Sequence, residues 1–322
     1  MRASKLMGPT AAAAAIVLFG GSSVLAQEVA QSASPWRDSE IDYDHFFSAN
    51  ALSKSAEPTY NPIYGHRLIL YPQWHIGDYF VLRARLLIEQ ELTNADDTTM
   101  LHEIVLNDLF IDAATPGVME PTTGIEFSGG VRFYLPTSKL SQANNMNVAI
   151  GPGLGVSRRF PLLAGLTISY SARFNFGIYG SRTRQLSSPS IPSCTPDDLN
   201  CGTNAGMMNW WGQLIHGPRL VFAPIPKLTI DVGYLFINSY LYSVTGGYYP
   251  GDENGTDVRY SQWFTASVGY EVLDFLTVNL GVSTFSGTLG LNGQYQTPFI
   301  NRNTQISLGL ALAIDPLVEA FR

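Results

Sequence analysis

The sequence predicts an all-β fold: a 12-stranded antiparallel transmembrane β-barrel. Three observations predict it. The first is alternation held over long segments. Leu228, Ile230, Val232, Tyr234 and Phe236 alternate with Thr229, Asp231, Gly233, Leu235 and Ile237. Phe264 to Glu271 and Leu276 to Ser283 repeat the pattern, with one apolar face and one small or polar face. The second is that no apolar run after the N-terminus reaches the ~20 residues of a membrane helix, so any crossing must be made by strands. The third is that connections alternate in length. Those at 77–78, 114–121, 160–164, 223–226 and 273–275 are short, and those at 94–99, 136–146, 182–207, 245–256 and 290–302 are longer. Outer-membrane barrels have short periplasmic turns and longer external loops. A soluble β-sandwich is the competing fold, but its strands run only about 5–6 residues.

Arg2 and Lys5 open a secretory signal. Ala11 to Gly20 is its apolar core, and Val24-Leu25-Ala26 offers small residues for cleavage before Gln27. The apolar run is too short for a spanning anchor. No Cys follows it, which argues against a lipoprotein. The reading is therefore residues 1–26 as signal peptide, 27–42 as a flexible periplasmic leader, and 43–322 as one barrel domain. It places the chain in the outer membrane of a Gram-negative bacterium after cleavage near Ala26. The formal net charge is −7 and both charges of the signal are positive, so the mature chain is more acidic still. That excludes a basic nucleic-acid footprint.

Tyr43 to Ser53 is a weak first strand. Counting it makes the strand number even, as a chain with both termini on the periplasmic side requires. Ile63 to His75 is a strand broken near Pro72, and Gly77-Asp78 is a tight turn. Tyr79 to Thr93 alternates Phe80, Leu82, Ala84, Leu86 and Ile88 with Arg83, Arg85, Glu89 and Glu91. Met100 to Ala113 is a strand whose faces stay unassigned, because Asn107 and Asp108 spoil both choices. Thr122 to Leu135 follows. Asn147 to Arg159 is Gly-rich, and its GPGLG run resembles a phosphate loop only superficially: no Lys follows and no helix begins there. Glycines on the inner face of a curved strand account for it. Gly165 to Ser181, Met208 to Phe222, the three strands above and Asn303 to Asp315 complete the set. Tyr179, Trp210, Trp211, Tyr240, Tyr242, Tyr260 and Trp263 near external loops, with Phe160, Phe222, Tyr270 and Phe275 near turns, read as interfacial girdles.

The strands, loops and particular segments resemble a known group. RFYLPTSKLSQA (Arg132–Ala143), EPTYNPIYGHRL (Glu57–Leu68) and MEPTTGIEFSGGVRFYLPTSK (Met119–Lys139) resemble proteobacterial and myxobacterial outer-membrane barrels of transporter type, including phenol meta-pathway-like barrels. The resemblance spans Tyr43 onward. It implies fold and location, and faintly transport; it transfers no functional residue.

Cys194 and Cys201 lie in one polar loop of an exported chain, so a local disulfide is expected. Two thiolates without a nearby His do not make a zinc site. Barrel lipases use His-x-Ser and barrel proteases Asp-x-His. His66 precedes Arg67-Leu68, His216 precedes Gly217-Pro218, and His45 has Tyr43 two places before it, so each pattern fails. No cofactor and no catalytic residue is assigned. His66 and His75 fall on opposite faces of a regular strand and are poor co-ligands. Asp252 to Asp257 resembles part of a calcium loop but lacks the distal Glu.

The polar set of each strand is placed inward, because Arg on the lipid face costs about 2–4 kcal/mol near the midplane. That assigns Arg83, Arg85, Glu89, Glu91, Glu126, Arg132, Arg173, Arg219, Asp231 and Glu271 to the lumen as pore-lining groups. Arg83, Arg85 and Arg132 are expected opposite Glu89, Glu91 or Glu126. The function expected is a narrow pore or transporter for small solutes. The alternatives are a structural or surface-binding barrel with a blocked lumen, and a lipid-modifying enzyme. Expected partners are outer-membrane lipid with lipopolysaccharide, the barrel-assembly machinery and small solutes.

Overall fold

A computed structural model describes residues 34–49, 63–93, 102–183, 208–243, 258–289 and 293–321. The signal segment, Cys194, Cys201 and Asp252 to Asp257 lie outside the described residues. Fifteen β segments form one antiparallel sheet that closes on itself. They are β1 (Glu40–Ser48), β2 (Tyr64–Tyr71), β3 (Gln73–Ile76), β4 (Phe80–Glu91), β5 (Ile104–Leu106), β6 (Leu109–Ala114), β7 (Val118–Glu120), β8 (Ile125–Leu135), β9 (Met146–Phe160), β10 (Gly165–Tyr179), β11 (Trp210–Ile225), β12 (Leu228–Leu241), β13 (Val258–Leu273), β14 (Leu276–Gly287) and β15 (Thr304–Ala313). Two short helices are α1 (Lys139–Ala143) and α2 (Ile314–Ala320).

The segments merge into twelve strands. β2 and β3 both pair with β4 and are one strand broken at Pro72, whose missing N–H cannot serve the ladder. β5 and β6 both pair with β4, while β6 and β7 both pair with β8, so these three are one strand. Its first break falls at Asn107 and Asp108. The Asp108 carboxylate accepts from the Ser138 amide and the Ser141 hydroxyl, tying the strand to α1 across the external rim. The residues that spoiled the alternation mark this irregularity. Closure comes from β1, which pairs with β15 on one side and β2 on the other.

The first strand starts at Glu40 and ends at Ser48, three residues earlier at its start than the expected Tyr43. Residues 40–42, assigned to a flexible leader, are therefore wall. Pro35 to Asp38 form a turn tied to the barrel base: the His75 amide donates to Pro35 O at 2.6 Å and Ile314 N donates to Ser39 O at 2.9 Å. Ser34 Oγ donates to Asp315 at 2.5 Å, so this turn and α2 meet beside the short connections.

Faces follow the period of two. Leu154, Ile168, Leu280, Leu308 and Leu310 are exposed on the outer wall, which is the lipid-facing face. The inner face of β9 carries Gly151, Gly153 and Gly155. A Cβ on Gly151 would fall 2.0 Å from Asn175 Oδ1 and 2.8 Å from Arg173 Cδ. The glycines make room for side chains crossing from β10, which is the inner-face role expected for the GPGLG run.

Candidate functional site

The candidate site is the lumen. Strand register builds it in rows. Asp44, Arg67 and Glu89 stand side by side on β1, β2 and β4. Arg67 Nε donates to Asp44 Oδ2 at 2.9 Å. A second row carries Arg83, Asp112, Arg132 and Gly151 across β4, β6, β8 and β9. Arg132 grips Asp112 with two donors, Nε and Nη2, each at 2.6 Å. Arg83 Nε donates to Gln73 Oε1 at 3.0 Å. Further round the wall, Arg219 and Asp231 form a pair through both Nε and Nη2 of the Arg. In each row opposite charges neighbour one another, which is the arrangement that low-dielectric surroundings demand.

Between these rows, adjoining the second, runs a stack of cations and rings. The Arg85 guanidinium lies 5.9 Å from the Tyr71 ring centre and 5.5 Å from that of Phe110. Arg132 lies 5.0 Å from Phe110 and 5.8 Å from Tyr134. Tyr71, Arg85, Phe110, Arg132 and Tyr134 thus alternate across four strands. Cation–π contact adds roughly 0.5–2 kcal/mol per pair, more where water is excluded. On the opposite wall Ile215, Leu235 and Ile237 pack with Trp263 and Phe285. Toward the external end, Phe110, Tyr134, Met146 and Ala149 pack with Tyr179 and Trp210.

All ten sequence-assigned lumen residues sit on the inward alternation, but they do not share one environment. Arg85, Arg132 and Arg173 are 6, 4 and 3 % exposed, and Glu91 is 6 % exposed. Arg85, Arg132 and Arg173 are embedded among other side chains at mid-height, and Glu91 is embedded at the external end of β4. Arg83, Glu89, Glu126, Arg219, Asp231 and Glu271 are half-buried. The expected pairing of Arg83, Arg85 and Arg132 with Glu89, Glu91 or Glu126 is corrected. Glu89 faces Arg67, Glu91 accepts from the Thr93 hydroxyl at 2.5 Å, and Arg132 takes Asp112. The cause is register: the broken β5–β6 strand brings Asp112 between Arg83 and Arg132. Asp44, Arg67 and Asp112 were missed. Asp44 sat in a weakly periodic strand, and Asp112 in the strand whose faces could not be assigned.

The girdle reading is corrected in part. Trp211 and Tyr260 are exposed on the outer wall, and Tyr240 stands beside Trp211 with ring centres 5.8 Å apart. Tyr179, Trp210 and Trp263 instead face inward and belong to the lumen clusters. Outside the lumen, Glu120 caps the turn after β7. The Thr123 hydroxyl and the amides of Thr122 and Thr123 hold its carboxyl down at about 2.

No family model and no curated protein matches the chain. Among solved structures, an outer membrane channel from Pseudomonas putida F1 aligns with 9 % identity over 88 % of this chain and 99 % of that one, with a TM-score of 0.53. The KdgM porin aligns with 10 % identity over 85 % and 98 %, and a TM-score of 0.45. The NanC porin aligns to the same extent. The first of these likenesses carries the fold, the closed outer-membrane-type barrel.

Proposed function

We propose that the chain is an outer-membrane channel of low conductance for small polar solutes. One observation carries this: an inner wall that bears paired charges, hydroxyls and glycines, interrupted by the Ile215–Leu235–Ile237 cluster, inside a mostly apolar outer wall. An inner face bearing paired charges at several depths is wetted at least at its ends, and the half-buried Arg219, Asp231 and Glu271 line its periplasmic half. Burial of Arg85, Arg132, Arg173 and Ile215 narrows the middle. The same burial favours the second reading, a barrel whose lumen is closed at mid-height. Twelve strands lie between the eight that side chains fill and the 16–18 that leave an aqueous channel, so side-chain size decides.

The test is single-channel recording on refolded protein in a planar bilayer. Small, well-defined steps with weak ion selectivity support the channel. Silence across many insertions, with heat-modifiable folded protein in the same membrane, supports the closed barrel. The narrower likeness to phenol meta-pathway barrels predicts faster phenol entry into proteoliposomes than into protein-free vesicles.

A further inference from the structure

The outer wall carries polar chemistry that a channel does not use. His45 on β1 and His66 on β2 are direct cross-strand partners. Both point outward, near the external ends of their strands, with ring centres 5.8 Å apart. Tyr43 Oη stands between them, 3.3 Å from His45 Nε2 and 2.9 Å from His66 Nδ1. The far nitrogens are held as well: His45 Nδ1 lies 3.1 Å from Tyr64 Oη, and His66 Nε2 lies 2.8 Å from Gln90 Oε1. Gln90 Nε2 donates to His102 O at 2.9 Å, which fixes the amide so that Oε1 faces the ring.

We propose that Tyr43, His45 and His66 form a site for one divalent transition-metal ion of the imidazole-preferring class, such as Zn²⁺ or Cu²⁺. Proton accounting supports it. Gln90 Oε1 can only accept, so His66 carries its proton on Nε2 and presents a lone pair at Nδ1. His45 presents Nε2 in the same way once its proton sits on Nδ1 and Tyr64 turns to accept it. That is a tautomer change with no net gain or loss of protons. Both lone pairs then converge on the place where the Tyr43 hydroxyl now sits, so a bound ion takes that place and the hydroxyl turns aside to become a third ligand. Ligating imidazoles almost always donate their other N–H to a fixed acceptor. Here that outer shell, Tyr64 and Gln90, is already built. Imidazole pairs suit Zn²⁺ and Cu²⁺. Among the described residues no three His, Cys, Asp or Glu side chains converge, so these three groups are the protein's ligands and a remaining position is left open.

The test uses refolded mature protein in detergent, first treated with iodoacetamide to silence any free thiol. Titration calorimetry with ZnCl₂ should show one ion per chain. His45→Ala and His66→Ala should each weaken binding by about 10-fold or more, and Gln90→Leu by about 10-fold through the outer shell. His216→Ala, on the far wall and bound to Tyr170, should leave binding unchanged. Absence of saturable binding to folded wild type overturns the site, as does undiminished binding to the His45→Ala/His66→Ala double variant. If that variant does not fold, Cu²⁺ spectra of wild type decide alone: coupling to two imidazole nitrogens upholds the site, and oxygen-only ligation overturns it.

Discussion

Arg132 and Asp112 meet across the β6–β8 ladder as a two-pronged ion pair, with both N···O distances at 2.6 Å and the Arg almost wholly out of solvent. Removing one partner of a buried pair costs about 3–5 kcal/mol, because it strands the other charge. Arg132→Ala should therefore lower stability by that order in urea unfolding from lipid vesicles, and shift ion selectivity toward cations through Asp112. Asp112→Asn should shift it toward anions. A variant pair that changes neither midpoint nor selectivity would remove this pair from the conduction path.

The second prediction concerns the apolar side of the lumen. Ile215 is fully buried between Leu235, Ile237 and the rings of Trp263 and Phe285. Truncating a buried Ile to Ala costs about 2–5 kcal/mol in a packed core. In a lumen it also opens space that water can enter from both ends. Ile215→Ala should raise single-channel conductance while lowering the unfolding midpoint. Unchanged conductance together with the stability loss would place the barrier at the Arg85–Arg132–Arg173 side instead.

Much of this was legible because lipid outside and side chains inside impose a period of two on every strand. β12, β13 and β14 read as wall with no ambiguity, since nothing interrupts the alternation within each. What failed were places where a strand bends to serve another contact. Asp108 leaves its ladder to bind Ser138 and Ser141, so the strand bearing Asp112 lost its phase. Tyr179, Trp210 and Trp263 sit at strand ends, and composition alone cannot tell an interfacial ring from one folded into the lumen. The pairing of Tyr43, His45 and His66 needs cross-strand register, which the spacing within one strand does not contain.

A third prediction comes from the outer wall beside the last loop. Gln262, Thr284, Ser286 and Thr304 have outward alternation yet are buried, because residues 293–303 lie over them. Thr284 Oγ1 donates to Phe299 O at 2.7 Å, and Gln262 Nε2 donates to Gln296 O at 3.2 Å. Phe299 also meets Phe264 edge-on, with ring centres 5.1 Å apart. Each neutral bond is worth ~1 kcal/mol. Thr284→Val keeps the shape and removes the donor. Amide exchange of residues 296–301 should then speed by about 5-fold, while the β13–β14 ladder keeps its protection. Equal speeding of loop and ladder would mean that Thr284 supports the wall itself.

The last prediction is a pH dependence outside the membrane. Glu120 is partly exposed at the end of β7, and its carboxyl is held at about 2 by the Thr123 hydroxyl and the amides of Thr122 and Thr123. Its ordinary value is 4.5. A carboxylate depressed in the folded state stabilises the fold above its unfolded pKa and loses that contribution as pH falls through the folded value. The contribution of Glu120 should therefore be complete above about pH 5 and fade between about pH 4.5 and 2. Glu120→Gln mimics the protonated form. Wild type should exceed it in urea midpoint at pH 7, and the two should converge as pH approaches 2. The expected gap is small, because solvent screens an exposed group. Proteolysis at the Pro121–Gly124 turn gives a local readout: Glu120→Gln should be cut faster at pH 7. Equal cutting at pH 7, or a midpoint gap that widens in acid, would show that the three bonds to Glu120 do not hold this turn.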